Sequence, residues 1–402
     1  MRGHIRKKGE HSWQITLDTG TGPDGERRRY FETVHSTRKS DAQKRLNELL
    51  VNLEKGIYTP PGRLTLGEYL RRWLKDYVQP NLSPRTAEGY EHICNHYFLP
   101  SLGNIKLGGL RPEHLQHYQS EKLSGGLSAQ TVRHHYMVLH RALQTAVEWG
   151  LLARNPADAV KPPHAQAVEM QTWDEDDIGS FLEAARPTPY FALFHTAFFT
   201  GMRRSELLAL RWCDLDLLLC QAYVTRSLHV LKGGRVVVRQ PKTASGKRMI
   251  ALSPLAVSVL REHQEKQRLD RAMLRISQKD DDLVFSGFEG KPLLPNTVTH
   301  AWIKLVRRTG LKPIRLHDAR HSHASILLRQ GIHPKIVQER LGHASIQVTL
   351  DTYSHVAPGL QEAAAARFDQ AFIAGYNEHE KEAAEENVAF LSPTSDIMSS
   401  RP

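Results

Sequence analysis

The sequence contains few cysteines and no long uninterrupted hydrophobic run. Its three cysteines are odd in number and have no metal-ligand spacing, which argues against a disulfide framework and favours a reducing compartment. The longest apolar stretch, Phe191–Phe199, is interrupted by His195 and Thr196 and is too short to span a bilayer. Residues 1–8 are charged and lead into no apolar segment, unlike a signal peptide. We therefore expect a cytoplasmic protein with no membrane partner.

Two signatures of phosphate chemistry are also absent from the sequence. It contains no Gly-x-x-x-x-Gly-Lys-Ser/Thr loop, so no nucleotide hydrolysis is implied. Nor does it contain an evident carboxylate cluster of the kind that binds two metal ions around a phosphate. We therefore expect no cofactor and no metal ion.

Positive charge is what the sequence has in excess. Lys and Arg number 54 against 43 Asp and Glu, for a formal net charge of +11. The excess is spread over residues 1–60, 61–165 and 166–360, whereas residues 361–402 are acidic. This distribution favours a polyanionic partner such as double-stranded DNA, although charge alone is equally compatible with a basic protein that binds no nucleic acid.

The predicted fold is multidomain and begins with a small α+β domain over residues 1–60. Alternating apolar and polar residues at Trp13–Leu17 predict a strand, and Arg27–Phe31 predicts a returning strand. A helix is expected from about Ser40 to Lys55, where Gly56 ends it. The result is a basic sheet with one helix.

An all-α domain is predicted over residues 64–160. Ser83 and Pro84 are typical of a helix start, and the apolar periodicity continues to about Leu99. A second helix is expected from Ser128 to Gly150.

A mainly helical domain with some strands is predicted over residues 170–360. The segment Thr172–Glu175 is typical of a capping box at a helix start. Period-two patterns predict strands at Ala222–Val230, Val236–Arg239 and Arg248–Leu252. Residues 361–402 form a C-terminal segment that carries a helical pattern and then an acidic tail that we expect to be partly disordered.

Two arginines stand in clusters suited to phosphate chemistry. The non-bridging oxygens of a DNA phosphodiester repel a nucleophile, so a catalyst must supply cations where charge develops. Arginine stays ionised, and its planar fork can hold two phosphate oxygens. Arg203 follows Thr200-Gly201-Met202, and Arg320 ends His317-Asp318-Ala319-Arg320. Glu206 lies three residues after Arg203 and could support it, although a structural ion pair on an amphipathic helix would show the same spacing.

Histidines surround the second arginine. His317 and Arg320 share a helix face, so that both could approach one phosphate. A metal site formed by His317, His321 and His323 is an alternative, since histidines four residues apart can bind a metal. Arg320 on the same face disfavours a divalent ion. Histidines packed in the core remain the other alternative.

Tyr353 and Lys242 are the candidates for nucleophile and acid. Tyr353 lies ten residues after His343; with an ordinary pKa of roughly 10, a phenol needs nearby cations to become a good nucleophile. Lys242 lies in a predicted hairpin tip from which its ammonium could protonate a leaving 5′ oxygen, and Lys247 is a nearby competitor. A packed tyrosine and a solvated turn lysine are the structural alternatives.

Taken in order, Arg203, Lys242, His317-x-x-Arg320, His343 and Tyr353 resemble the tyrosine recombinase (phage integrase) family. The surrounding phrases are similar to that family's motifs: Thr200-Gly201-Met202-Arg203-Arg204-Ser205-Glu206, Leu316-His317-Asp318-Ala319-Arg320-His321 and Leu341-Gly342-His343-Ala344-Ser345. The layout resembles integrases of phages and conjugative transposons of Gram-positive bacteria. The resemblance implies an arm-type DNA-binding domain over 1–60, a core-binding domain over 64–160 and a catalytic domain over 170–360.

The resemblance also implies a mechanism. Tyr353 would attack the scissile phosphate and form a 3′-phosphotyrosine, while Arg203, Arg320 and His343 stabilise the transition state. Lys242 would act as general acid, and His317 would orient groups or transfer protons. A homotetramer on DNA would bind core-type and arm-type attachment sites and exchange strands through a Holliday junction, integrating or excising a mobile element. An excisionase or a host DNA-bending protein as accessory partner is left open.

Two alternative functions and one structural question remain at this point. A type IB topoisomerase shares the chemistry, and a non-catalytic DNA-binding regulator could keep the fold. The amphipathic pattern over Leu360–Ile373 suggests a helix that docks on a neighbouring protomer, or equally one that packs within its own chain.

Overall fold

The computed structural model describes residues 3–21, 27–54, 64–165, 170–241 and 246–353, and in addition 365, 366 and 368–370. Contacts divide the chain into two compact units, Met1–Val168 and Glu169–Pro402. This division places no boundary between residues 1–60 and 64–160, and none before residue 361. The domain boundaries predicted from the sequence therefore stay predictions. Most of the predicted Leu360–Ile373 helix lies outside the described residues. Within that range the structure describes 365, 366 and 368–370, and these are helical.

The first unit begins with a three-stranded antiparallel sheet and one helix. The strands β1 Gly3–Gly9, β2 Ser12–Thr21 and β3 Arg27–His35 pair in that order, and α1 Lys39–Glu54 follows. Because side chains alternate across a strand, one face of β2 is buried against α1. The small core comprises Ile15, Leu17, Leu46 and Leu49. Strand β1 was not expected from the sequence. Its residues, Gly-His-Ile-Arg-Lys-Lys-Gly, include one large apolar side chain, Ile5, which packs on the core, and this is too little for an alternating pattern.

The rest of this unit is helical, as predicted. Its helices are α2 Leu66–Trp73, α3 Gln79–Asn81, α4 Pro84–Ile93, α5 Leu99–Leu102, α6 Pro112–Ser124 and α7 Ala129–Glu148. These helices enclose a second core, separate from that of the sheet, which includes the large buried side chains of Tyr69, Trp73, Phe98 and Leu143. Ser83 and Ser128 cap α4 and α7 through their side chains, as their sequence contexts predicted.

Two of these helices widen just before a proline. Leu74–Val78 and Cys94–Phe98 are π-helical turns that join α2 to α3 and α4 to α5. Gln79 N donates to Leu74 O and Leu99 N donates to Cys94 O, each one residue wider than an α-helical bond. The next residue in each case is a proline, which has no N–H and crowds the preceding turn. The helix predicted to end near Leu99 therefore continues to Leu102.

The second unit is mainly helical and contains short strands. Its elements are α8 Glu175–Ala185, α9 Phe191–Thr200, α10 Arg204–Leu207, β4 Leu215–Asp216, β5 Gln221–Val224, β6 Ser227–Val230, β7 Val236–Arg239, β8 Arg248–Ala251, α11 Pro254–Met273, α12 Pro295–Thr309, α13 Asp318–Arg329, α14 Pro334–Leu341 and α15 Ile346–Tyr353. Aromatic rings fill the core, where Trp302 contacts Trp173, Phe181 and Phe194. The multidomain, mainly helical fold class predicted from the sequence is confirmed.

Two local predictions in this unit were wrong. The N-cap of α8 is Asp174, whose carboxylate accepts from Asp177 N, and not Thr172. The single strand expected over 222–230 is two strands in different sheets, since β5 pairs with β8 and β6 pairs with β7. The break falls at Thr225 and Arg226, where Thr225 Oγ1 donates to the buried Asp214 Oδ1 at 3.0 Å.

Gly201 and Gly310 end α9 and α12 in the same left-handed conformation, with φ of 64° and 67°. Their surroundings differ. A Cβ added at Gly201 would lie 2.7 Å from His323 Cδ2 and 2.8 Å from Leu341 Cδ2, whereas a Cβ at Gly310 would meet nothing within 4 Å.

This pair gives a stability prediction. Gly310→Ala should lower the free energy of unfolding by roughly 1–2 kcal/mol, the cost of a left-handed L-residue. Gly201→Ala should cost about 1–3 kcal/mol more, because the buried neighbours must also move. Denaturant unfolding of the DNA-free protein measures both, and equal losses would contradict the packing argument.

Candidate active site

Arg203 is held at the start of α10 by Glu206. Its backbone N donates to Glu206 Oε2 at 2.9 Å, and its Nη1 donates to Glu206 Oε1 at 2.8 Å. Nη2 reaches Gly342 O at 3.4 Å. One carboxylate therefore fixes both the backbone and the guanidinium of Arg203, as the three-residue spacing predicted. The side chain of Arg203 remains about a third exposed (37%) and can meet a ligand.

Arg248 is a member of this cluster that the sequence did not reveal. It lies at the start of β8, and its Nη1 and Nη2 donate to the two oxygens of Glu206 at 3.2 and 2.8 Å. Its Nε donates to Arg340 O at 2.8 Å. Burial by itself would raise the pKa of Glu206, but the hydrogen bonds and charges of Arg248 and Arg203 outweigh it and lower that pKa.

Arg320 is fixed by carbonyl groups. The side chain is buried (3% exposed); its Nη1 donates to Gly201 O at 2.8 Å and its Nη2 donates to Leu341 O at 2.7 Å. These carbonyls lie at the C-terminal ends of α9 and α14, where partial negative charge favours a cation. Burial, followed by the charge of Arg203, lowers the pKa of Arg320, yet a guanidinium stays protonated at neutral pH.

The two candidate arginines meet at consecutive carbonyls. Arg320 contacts Leu341 O, and Arg203 contacts the next carbonyl, Gly342 O. Gly342 ends α14 in the left-handed conformation, with φ 68°. This turn brings guanidinium groups from segments more than a hundred residues apart to one place, where both could approach a single phosphate.

His343 follows this turn and faces α15. Its Nδ1 lies 2.8 Å from Thr349 Oγ1, which fixes the ring. The ring is nearly parallel to that of Tyr353, with an interplanar angle of 10° and centroids 6.5 Å apart. Burial first, and then the charges of Arg320 and Arg203, lower the pKa of His343 to about 4.

Tyr353 lies in the same pocket of the same chain. It is 1% exposed and packs with Ala324, Leu328, Val337 and Leu341. Burial raises the pKa of Tyr353 to about 12, and the charges of Arg320 and Arg203 oppose that rise. The tyrosine therefore carries its proton in this state, and cations are close enough to favour its ionisation.

His321, four residues after His317, is the direct partner of Tyr353. Its Nδ1 lies 2.7 Å from Tyr353 Oη. The rings of His317 and His321 meet edge to face at 5.1 Å. The surrounding protein desolvates the exposed His317 in part, and this effect, followed by the charge of Arg320, lowers its pKa. From the sequence, His321 was expected to be either a metal ligand or a histidine packed in the core; its four-residue spacing from His317 was the available signal.

His323 does not share this surface. It is buried, and its Nε2 accepts from Arg340 Nε at 3.0 Å, which occupies the nitrogen a metal would need. Burial, followed by the charge of Arg340, lowers the pKa of His323 to about 3. Within the described ranges, no group of three or more His, Cys, Asp or Glu side chains is arranged to hold a metal ion.

Lys242 lies outside the described residues, so its expected role stays a prediction. The flanking strands differ from the expected hairpin, because β7 pairs with β6 whereas β8 pairs with β5. The segment that contains Lys242 therefore connects two sheets. Lys247, at its other end, is exposed.

Comparison with known proteins decides the family. Residues 171–359 match the family described as "Phage integrase family", and residues 65–123 match "Phage integrase, N-terminal SAM-like domain". The chain belongs to the phage integrase family. It is therefore a site-specific DNA recombinase of the tyrosine recombinase type, as the resemblance implied.

Relatives of this integrase match over nearly their whole length. A "Tyrosine recombinase XerC-like" of Caldanaerobacter subterraneus subsp. tengcongensis is 26% identical over 385 residues, covering 91% of this chain and 98% of the relative. The "ICEBs1 integrase" of Bacillus subtilis is 27% identical over 371 residues, covering 91% and 99%.

Solved structures support the same fold. The Tn1549 transposon integrase in complex with a circular intermediate DNA matches with a TM-score of 0.66 at 20% identity, covering 77% of this chain and 99% of that one. A lambda integrase dimer bound to a core site matches with a TM-score of 0.56 at 17% identity, covering 87% and 93%. In the part of the chain that the structure describes, no helix is both long and apolar enough to cross a membrane.

Glu206→Gln tests the buried cluster. The change leaves Arg248 buried without a counter-charge and should lower the free energy of unfolding by about 3 kcal/mol at neutral pH. Because the folded-state pKa of Glu206 is depressed, its contribution is present above the ordinary value of 4.5 and is lost as pH falls through the folded value. The deficit of the variant should therefore shrink in acid.

The matched control is Glu183→Gln. Glu183 and Arg186 also form a pair three residues apart, but their side chains are 77% and 67% exposed. The loss there should be about 0–1 kcal/mol. Denaturant titrations at neutral and acid pH measure both variants; a deficit at position 206 as small as the control's would show that the buried pair contributes little.

Proposed function

We propose that this integrase cuts and rejoins DNA through a covalent bond between Tyr353 and a 3′ phosphate. The observation that carries the proposal is that Tyr353 packs with Leu341 of its own chain, while Arg320 and Arg203 donate to the carbonyls of Leu341 and Gly342. Attack by Tyr353 Oη on phosphorus forms the phosphotyrosine and releases a 5′-hydroxyl. The bond energy is conserved, so that a 5′-hydroxyl can attack in turn and reseal the strand.

The cations of the pocket would stabilise the transition state. Protein oxygens accept hydrogen bonds from part of each guanidinium group, on Arg203 and on Arg320. These bonds hold the remaining N–H donors in position for phosphate oxygens. His343 would donate to a third oxygen, since its Nδ1 is already placed by Thr349. His317 would orient the phosphate or transfer protons beside Arg320, and Glu206 supports Arg203.

Lys242 would protonate the leaving 5′ oxygen. An ammonium suits this task because it carries a proton at neutral pH and reaches far from the backbone. The connection between β7 and β8 starts within the unit that carries the other candidate residues. Lys247 is the competitor in the same connection.

The DNA partner would be double-stranded and bound by several parts of the chain. Residues 64–160 would bind core-type sites and residues 1–60 arm-type sites; Arg6, Lys7 and Lys8 of β1 are exposed there. Four protomers would exchange strands pairwise through a Holliday junction, integrating or excising a mobile element. The C-terminal segment 361–402 would take part in assembly, and an excisionase or a DNA-bending host protein would set the direction.

Tyr353→Phe should abolish covalent adduct formation. Incubation with a nicked suicide substrate should give an SDS-resistant protein–DNA species with the unmodified protein and none with the variant, because the phenyl ring has no attacking oxygen. Tyr223→Phe, an exposed tyrosine of β5, is the control and should react normally. An adduct that persists in Tyr353→Phe would assign the nucleophile elsewhere.

Lys242→Ala should slow cleavage about 10²–10⁴-fold, the usual contribution of a general acid. A substrate whose bridging 5′ oxygen is replaced by sulfur should restore the rate, since a thiolate leaves without a proton. Lys247→Ala is the matched control and should cleave the oxygen substrate at nearly the normal rate. Rescue of the Lys247 variant instead, or failure to rescue the Lys242 variant, would remove Lys242 from this role.

A further inference from the structure

The hydroxyl of Tyr353 makes one specific contact whose chemistry the proposed function leaves unused. In the described part of the chain, Tyr353 Oη hydrogen-bonds to His321 Nδ1 at 2.7 Å. His321 is half-buried on α13, directly after Arg320 in sequence, and its ring packs edge to face on His317. A histidine nitrogen in contact with a candidate nucleophilic oxygen can either hold that oxygen or take its proton.

The proton of this bond belongs to the phenol. Tyr353 is buried, and a buried hydroxyl hydrogen requires an acceptor. Burial, followed by the charge of His317, lowers the pKa of His321 to about 4, so the imidazole is neutral and has one unprotonated nitrogen. With Nδ1 as that nitrogen, Tyr353 Oη donates and His321 accepts. The opposite direction would leave the buried hydroxyl hydrogen without an acceptor among the described residues.

Other bases near Tyr353 are committed elsewhere. His343 has its Nδ1 on Thr349 Oγ1, and its ring centroid lies 6.5 Å from that of Tyr353; the hydrogen bond of Tyr353 Oη goes to His321 instead. The Glu206 carboxylate is occupied by Arg203 and Arg248. Within the described residues, His321 is the base in direct contact.

We propose that His321 is a further catalytic residue, which takes the hydroxyl proton of Tyr353 as the tyrosine oxygen attacks phosphorus. The Oη–P bond forms while the P–O5′ bond breaks, the phenolic proton moves to His321 Nδ1, and the leaving 5′ oxygen receives a proton from the general acid. Resealing reverses each transfer and returns the proton to Tyr353. The inference rests on the proposed function, in which Tyr353 is the nucleophile.

Phosphate binding supplies the driving force for this transfer. Without DNA, desolvation first, and with it the neighbouring cation Arg320, disfavours protonation of His321. A phosphate bound between Arg203 and Arg320 brings negative charge into the pocket and offsets those cations, which increases the proton affinity of the imidazole. The base therefore becomes effective when its substrate is present.

The test is the single-turnover rate of covalent adduct formation on a suicide substrate. His321→Ala should slow it by about 100-fold, within the range for a lost general base. His321→Asn should stay nearly as slow, because the amide oxygen occupies the same position relative to Cβ as Nδ1 and can hold the hydroxyl but does not take up its proton. His300→Ala, an exposed histidine of α12, is the control and should be unaffected.

A more acidic tyrosine separates this role from a folding defect. With ring-fluorinated tyrosine at position 353, the phenol needs less help to ionise, so the loss caused by His321→Ala should fall below about tenfold. Misfolding of the variant would slow both forms equally; thermal unfolding and gel-shift DNA binding check this directly.

Three results would overturn the inference. They are an unchanged or faster rate in His321→Ala, a nearly normal rate in His321→Asn, and a defect that fluorination does not reduce. An unchanged or faster rate in His321→Ala would mean that the hydrogen bond to Tyr353 does not assist the attack. A nearly normal rate in His321→Asn would make His321 a positioning residue only. A defect that fluorination does not reduce would leave His321 no role in proton transfer. Tyr353→Phe distinguishes failure of this inference from failure of the proposed function, because a covalent adduct in that variant would reject Tyr353 as the nucleophile.

Discussion

A buried carboxylate between two guanidinium groups is the interaction on which this site depends. Glu206 binds Arg203 from its own turn and Arg248 from β8, and Arg248 continues to the backbone of Arg340 on α14. Removing one partner of a buried ion pair is strongly destabilising, so this cluster links the start of α10, β8 and α14. The same cluster keeps one net positive charge, which is the sign that a phosphate needs.

Arg320 is stabilised by a different means, and the difference matters for binding. Two carbonyls at helix ends satisfy its donors without neutralising its charge. A carboxylate partner would hold the side chain equally well but would cancel the attraction for an anion. Both carbonyls lie at left-handed turns, one on Gly201 itself and the other on Leu341, just before Gly342. Backbone geometry therefore preserves the electrostatic potential of the pocket.

The sequence predicted what depends on short spacing and missed what depends on packing. Arg203 and Glu206 are three residues apart, and the capping box at the start of α10 pairs them locally. Arg248 and Glu206 are 42 residues apart, and His321 and Tyr353 are 32 apart; no local pattern links either pair. At the strand break, Thr225 likewise contacts Asp214, a buried carboxylate eleven residues away that no local pattern links to it. Ordered motifs located the site, but only the tertiary fold identified its supporting contacts.

The deep placement of Tyr353 has a consequence for how DNA can reach it. With 1% of its surface exposed, this side chain is out of reach of a phosphodiester while the chain keeps the arrangement described. Ile346, Val348 and Leu350 on the outer side of α15 are each more than a third exposed, so this helix packs through its inner side, where Thr349 and Tyr353 are buried. Any contact between Tyr353 Oη and a DNA phosphate therefore requires the segments that cover the phenol to be displaced, and the cost of that displacement adds to the barrier of a reaction at this oxygen.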